Sequence, residues 1–228
     1  MGFLDILTGR KAEETEEAIP APVDVTGQYD NRVRDQEDPR AIKDFPALQK
    51  AIAEYQAGDN IEKREIFEFQ EALKNAPDYY LPYYWVATYH YDKGNFEEAR
   101  TVLQEGIAKC LIKSVLCRRL GEFYFARGLL DDAIYWFFTT IMADTGNIDF
   151  HAYLYLGYMA EAYGLKSASN WFRRRAHGIA YKLIYEHAEY SHRKKDWIVT
   201  NTRRFENDRN ARQLQNLYAY ARGHFKNL

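Results

Sequence analysis

Few residues of this chain stand at spacings that catalysis uses. Glu189 and His192 form a Glu-x-x-His pair, the spacing by which di-iron helical bundles offer a carboxylate and an imidazole to a metal. Such a centre needs a second pair and two more inward carboxylates, and the chain has no second pair. His187 and His192 are five apart, which turns them to different faces of a helix, so a helical zinc site with histidines four apart is missing too. Neither a Gly-rich phosphate loop nor a serine elbow occurs. Cys110 and Cys117 stand seven apart, whereas zinc knuckles and redox pairs place two residues between their sulfurs. They read as small core residues. The expectation is a protein that is not an enzyme and holds no metal or cofactor.

The charged residues point to binding instead. The net charge of −2 conceals a gradient: residues 1–80 carry a balance of −8 and residues 170–228 one of +8. The basic end holds Arg173, Arg174, Arg175, Arg193, Lys194, Lys195, Arg203, Arg204, Arg209 and Arg212, with Trp197 and Phe205 among them. Cations interleaved with aromatics suit a phosphate backbone and stacked bases, so nucleic acid is the runner-up partner. A solvated helical cap that needs no partner explains the same residues, and self-association through oppositely charged ends is a further expectation.

The elements that must position these residues repeat. Leu120-Gly121-x-x-Tyr124 is followed by Gly128, Ala133 and Phe137; 34 residues earlier stand Val86-Ala87-x-x-His90, Gly94, Ala99 and Leu103. A third, slightly stretched copy reads Leu156-Gly157, Gly164, Ala168 and Phe172. The pattern predicts paired helices. Small residues at Ala87, Gly121, Gly157, Ala99, Ala133 and Ala168 let the axes approach to roughly 8–10 Å. Gly94, Gly128 and Gly164 fall where a left-handed residue ends a helix. The larger residues of each copy fill the space between pairs.

With these residues the chain resembles the tetratricopeptide repeat family over roughly residues 79–178. The second copy fits best, although Cys117 replaces the leading aromatic and the closing proline is missing. The resemblance implies an all-α fold, a right-handed superhelical stack of antiparallel hairpins in which the first helices line a concave groove. Carried over position by position, that groove comprises Tyr84, Thr88 and Tyr91, then Arg118, Glu122 and Phe125, then His151, Leu154, Tyr158 and Glu161. The implied function is that of a non-catalytic adaptor or scaffold holding a peptide or protein partner. The Lys and Asn set with which some members clamp a terminal carboxylate does not match here.

Around the repeats, residues 1–10 form a short amphipathic segment with Phe3, Leu4, Ile6 and Leu7. Ten residues with little positive charge bind a bilayer weakly, so a membrane-tethered assembly factor ranks below the adaptor. Residues 11–40, with Glu13, Glu14, Glu16 and Glu17, bury too little apolar surface to order themselves and read as an acidic linker. The helical domain is expected over 41–228. It has a degenerate leading hairpin over 41–78 with helices at 45–57 and 61–75, the repeats over 79–178, and a basic cap over 179–228. In the cap, helical spacing continues to about 190 and a last helix lies near 208–222. With no run of 18 apolar residues and no export signal, the expected location is cytoplasmic.

Overall fold

The computed structural model describes residues 46, 47, 49, 50, 53, 63–143, 149–186, 188–205 and 207–225, without the side chains of 63–65, 180–186 and 188–193. The segment 1–10, the linker 11–40 and most of the helix expected at 45–57 lie outside them. Among the described residues there are nine helices and no strand: α1 (Lys63–Asn75), α2 (Tyr80–Asp92), α3 (Phe96–Lys109), α4 (Ser114–Ala126), α5 (Leu130–Ala143), α6 (Phe150–Ala162), α7 (Lys166–Glu186), α8 (Ala188–Arg204) and α9 (Asp208–His224). No described helix is long and apolar enough to cross a membrane.

Consecutive helices pack against one another, most extensively α2 with α3, α4 with α5, and α6 with α7. Each of these three pairs closes through the same turn. Gly94, Gly128 and Gly164 have φ of +83°, +76° and +70°, a left-handed backbone that only glycine adopts without strain. Their N–H groups bond the Tyr91, Phe125 and Glu161 carbonyls, while those of Asn95, Leu129 and Leu165 reach back to His90, Tyr124 and Ala160. This double closure satisfies carbonyls that a helix end otherwise leaves unpaired.

Between paired helices the small residues lie where the axes come closest. A methyl group on Gly121 would stand 2.9 Å from the Phe137 ring, and one on Gly157 2.7 Å from Arg173 Cγ. Ala87, Ala99, Ala133 and Ala168 are fully buried, and Leu103, Leu120, Phe137, Leu156 and Phe172 fill the space they leave. Gly106 is a close approach that the repeat does not mark: a Cβ there would meet Leu116 and Tyr83 at 2.7 Å. One continuous core runs from α2 to α9, and a smaller cluster of Phe69, Ala72, Ala76, Tyr79 and Val86 joins α1 to α2.

The C-terminal helices divide around this core. α8 packs on α6, while α9 packs on α5 and α7. Ile198 and Thr202 anchor α8, and Leu214, Leu217, Tyr218 and Ala221 anchor α9. The link between them passes the turns of the repeats. The Phe205 ring lies over Gly128, where a Cβ would meet it at 2.8 Å, and Tyr163 at the α6–α7 turn donates to Asn210 at 3.1 Å. Asn210 in turn donates to Asp131 at the start of α5. The helical stretch before residue 204 is not legible as a separate element, because Ala188–Arg204 is mostly polar and offers few apolar residues to mark a core face.

Candidate functional site: an aromatic and charged cleft between four helices

A cleft of about 650 Å³ opens where α2, α4, α6 and α8 meet, lined by Tyr91, Asp92, Arg119, Glu122, Phe123, Ala126, Tyr155, Lys194 and Trp197. Its α4 wall is held by ion pairs. Arg118 donates from Nε to Asp149 at 2.8 Å and from Nη1 to Glu122 at 2.9 Å. Arg119 donates from Nη1 to the other Glu122 oxygen at 3.1 Å and from Nε to Thr88 Oγ1 at 3.2 Å. Asp149 also caps α6, accepting from the Ala152 N–H at 3.2 Å. One hydrogen-bonded chain therefore ties α2, α4 and the start of α6 together, with Arg118 and Glu122 side chains only 16% and 14% exposed. At such burial an ion pair resists solvent screening, and each member depends on its partners.

The protonation states follow from this packing. Burial alone would raise the Glu122 pKa, but Arg118 and Arg119 outweigh it and hold the carboxyl below its ordinary value. Burial would likewise ease deprotonation of Arg118, and Asp149 with Glu122 reverses that, keeping the guanidinium charged. His151 is pushed down to about 3, chiefly by burial and then by Lys194 and Arg118. It is neutral at pH 7, and its Nδ1 accepts from the Lys194 ammonium at 3.3 Å, since an ammonium only donates. Burial lowers the Lys194 pKa, against the pull of Glu122.

Aromatic rings form the rest of the cleft. Tyr91 stacks on Phe123 with ring centres 4.0 Å apart and 6° between planes. The Arg119 guanidinium lies over Phe123 at 4.7 Å and over Tyr84 at 5.0 Å. Trp197 meets Phe125 edge-on at 5.1 Å yet remains 44% exposed, and Lys194 sits 4.8 Å over the Tyr155 ring.

The residues expected in the groove share this region, but α8 covers part of them. Tyr84 and Tyr91 are half-buried, and Thr88, bonded to Tyr84 and Arg119, is buried. Phe125, Leu154 and Tyr158 are buried, with Phe125 beneath Trp197. Arg118 and Glu122 neutralise each other, His151 receives Lys194, and Glu161 pairs with Arg173 at 3.1 Å and Lys195 at 2.7 Å.

The ten basic residues disperse over three helices. Lys194 and Lys195 face the groove residues just named. Arg173 lies over the Tyr158 ring, and Arg175 donates to the Phe225 carbonyl at 2.8 Å and covers Trp171. Arg209 pairs with Asp131 at 3.3 Å. Arg174, Arg203, Arg204 and Arg212 are exposed. The Arg193 side chain lies outside the described residues, as do His187 and the side chains of Glu189 and His192. Among the described residues no group of three His, Cys, Asp or Glu side chains could hold a metal ion.

Sequence reading missed Arg119, Phe123, Asp149 and Tyr155, and set Trp197 with the basic end and not in the groove. Arg119 and Glu122 at i and i+3, and an Asp three residues before Ala152, are local signals that were available. Nothing local joins Lys194 and Trp197 to a helix more than thirty residues earlier. Comparison with protein-family models, with curated protein sequences and with solved structures returns no match.

Proposed function

We propose that this chain is a non-catalytic adaptor built as a right-handed, tetratricopeptide-like stack of helical hairpins, holding a peptide segment of a protein partner in the cleft between α2, α4, α6 and α8. The observation that carries this reading is the cleft itself: open aromatic surface beside charges already paired by the protein. Arg118, Arg119, Glu122 and Asp149 spend their bonding capacity on one another, so they serve to hold shape. Tyr91 and Trp197 offer the open ring area, with little rotamer freedom to lose, while the buried Phe123 and Tyr155 hold them in place from beneath, which favours recognition by a pre-shaped wall.

Selection of a random-peptide library on the full chain tests this. Enriched peptides should bind the native chain and lose about tenfold in affinity to Trp197→Ala, the roughly 1.4 kcal/mol expected of an aromatic interface residue. Because Trp197 is half-exposed, the variant should keep its helicity. Peptides that bind both chains equally, or no enrichment at all, would refute the cleft as the binding surface.

A further inference from the structure

A second surface adjoins the cleft at the α4–α5 turn. Arg127 and Leu129 flank Gly128 there, and the Phe205 ring lies against the same turn. Arg204 covers that ring at 5.2 Å, with Arg203 beside it. Trp197, two helical turns earlier on α8, reaches the last turn of α4 through Phe125. Leu129, Trp197 and Phe205 are 42%, 44% and 37% exposed, unusually open for large apolar side chains gathered on one edge. Arg127, Arg203 and Arg204 are exposed, and the Arg127 guanidinium lies over the Phe96 ring at 4.5 Å. The edge thus combines uncovered apolar area with three exposed arginines, beside the α5 carboxylates Asp132 and Asp131, the latter paired with Arg209.

We propose that this edge is the docking site of the chain's own residues 3–17. That stretch joins the apolar Phe3, Leu4, Ile6 and Leu7 to five acidic residues, Asp5, Glu13, Glu14, Glu16 and Glu17, against the two basic ones Arg10 and Lys11, so with a net charge of −3 it complements the edge in both respects. Nucleic acid would answer the arginines and stack on Trp197 and Phe205, but it offers Leu129 no aliphatic partner, whereas Phe3, Leu4, Ile6 and Leu7 do. Length permits the contact: the 29 steps from Glu17 to Pro46 span up to about 100 Å when extended, several times the roughly 20 Å length of a thirteen-residue helix such as α4. Docked there, the segment borders the cleft at Trp197 and competes for that ring with any bound peptide.

Spin labelling of the full chain tests the contact. Thr8→Cys, which spares the four apolar residues of the contact, introduces a thiol for the label, since Cys110 and Cys117 are buried. With a nitroxide attached, amide signals of residues 127–129 and the Trp197 indole signal should lose at least about half their intensity relative to the reduced label. Intensity should return in the triple variant Arg127→Glu, Arg203→Glu, Arg204→Glu, whose substitutions are on the surface and whose helicity is checked by circular dichroism. Absence of selective broadening, or broadening that survives charge reversal, overturns the proposal. So does broadening seen only when labelled and isotope-enriched chains are mixed, which places the contact between copies. If the label leaves the edge untouched and a single-stranded oligonucleotide shifts the same signals in a salt-dependent way, the edge is a nucleic-acid surface and the proposal is equally refuted. None of these outcomes decides the peptide-binding reading, which is read on Trp197→Ala.

Discussion

Replacing Glu122 by Gln removes the charge that both Arg118 and Arg119 address while keeping the side chain's shape. Glu122 accepts at 2.9 Å from one guanidinium and at 3.1 Å from the other, and its side chain is 14% exposed. After substitution Arg118 retains Asp149, but at bonding distance Arg119 keeps only neutral partners, the Thr88 hydroxyl and the Tyr84 and Phe123 rings. Breaking a buried ion pair from one side typically costs about 3–5 kcal/mol, because the stranded charge has lost water without compensation. Urea unfolding at pH 7, followed by far-ultraviolet circular dichroism, should show a loss near the lower end of that range, since Asp149 still serves Arg118. The pH dependence gives a second reading. The folded-state pKa of Glu122 is depressed, so its contribution is fully present above the unfolded value of about 4.3 and is lost as pH falls through the folded one. The stability gap between the native chain and the Glu122→Gln variant should stay constant from about pH 7 to 5 and shrink below about pH 4.3. A gap under about 1 kcal/mol at pH 7, the size of an exposed pair, would refute the description of this network as dry and mutually dependent.

Three further outcomes follow from the packing. Phe125→Ala should cost about 3–5 kcal/mol in the same assay, because the ring is fully buried against Tyr155 and Trp197; a loss below about 1 kcal/mol would mean that α8 is not seated over α4. Gly94→Ala and Gly128→Ala both place a side chain on left-handed backbone, which costs about 1–2 kcal/mol. Only Gly128 has Phe205 within 2.8 Å of the new methyl, so its cost should exceed that of Gly94, and equal costs would contradict the docking of Phe205. Cys117, whose thiol burial pushes up to about 12, should resist iodoacetamide at pH 8 in the native chain and react once urea unfolds it; rapid native alkylation would contradict its burial.

The repeat was legible because its signals are local. A left-handed turn selects glycine by sterics alone, so Gly94, Gly128 and Gly164 mark three helix ends without reference to any distant residue. The buried alanines and large apolar residues recur at fixed offsets because each helix presents the same face to its neighbour. The last helix, read near 208–222 from Leu214, Leu217, Tyr218 and Ala221, spans Asp208–His224 for the same reason. Placing Tyr84, Tyr91, Arg118, Glu122 and His151 in one region also needed only the order of the first helices.

Local pattern could not say what covers that region. α8 is held by Ile198 and Thr202 with a few polar contacts, too little apolar surface to announce where it packs. Seated by them, it brings Lys194 to His151 and Trp197 to Phe125, pairings across 43 and 72 residues whose partners are defined only once both helices exist. The amino-acid order therefore determined helix ends, paired helices and a buried apolar core, all set by neighbours within a few turns. The tertiary structure alone decided which groove residues are covered, which arginines are exposed, and that a cleft survives between α2 and α8. Those depend on long-range competition among charges and rings for the same partners, and no spacing along the chain encodes its outcome.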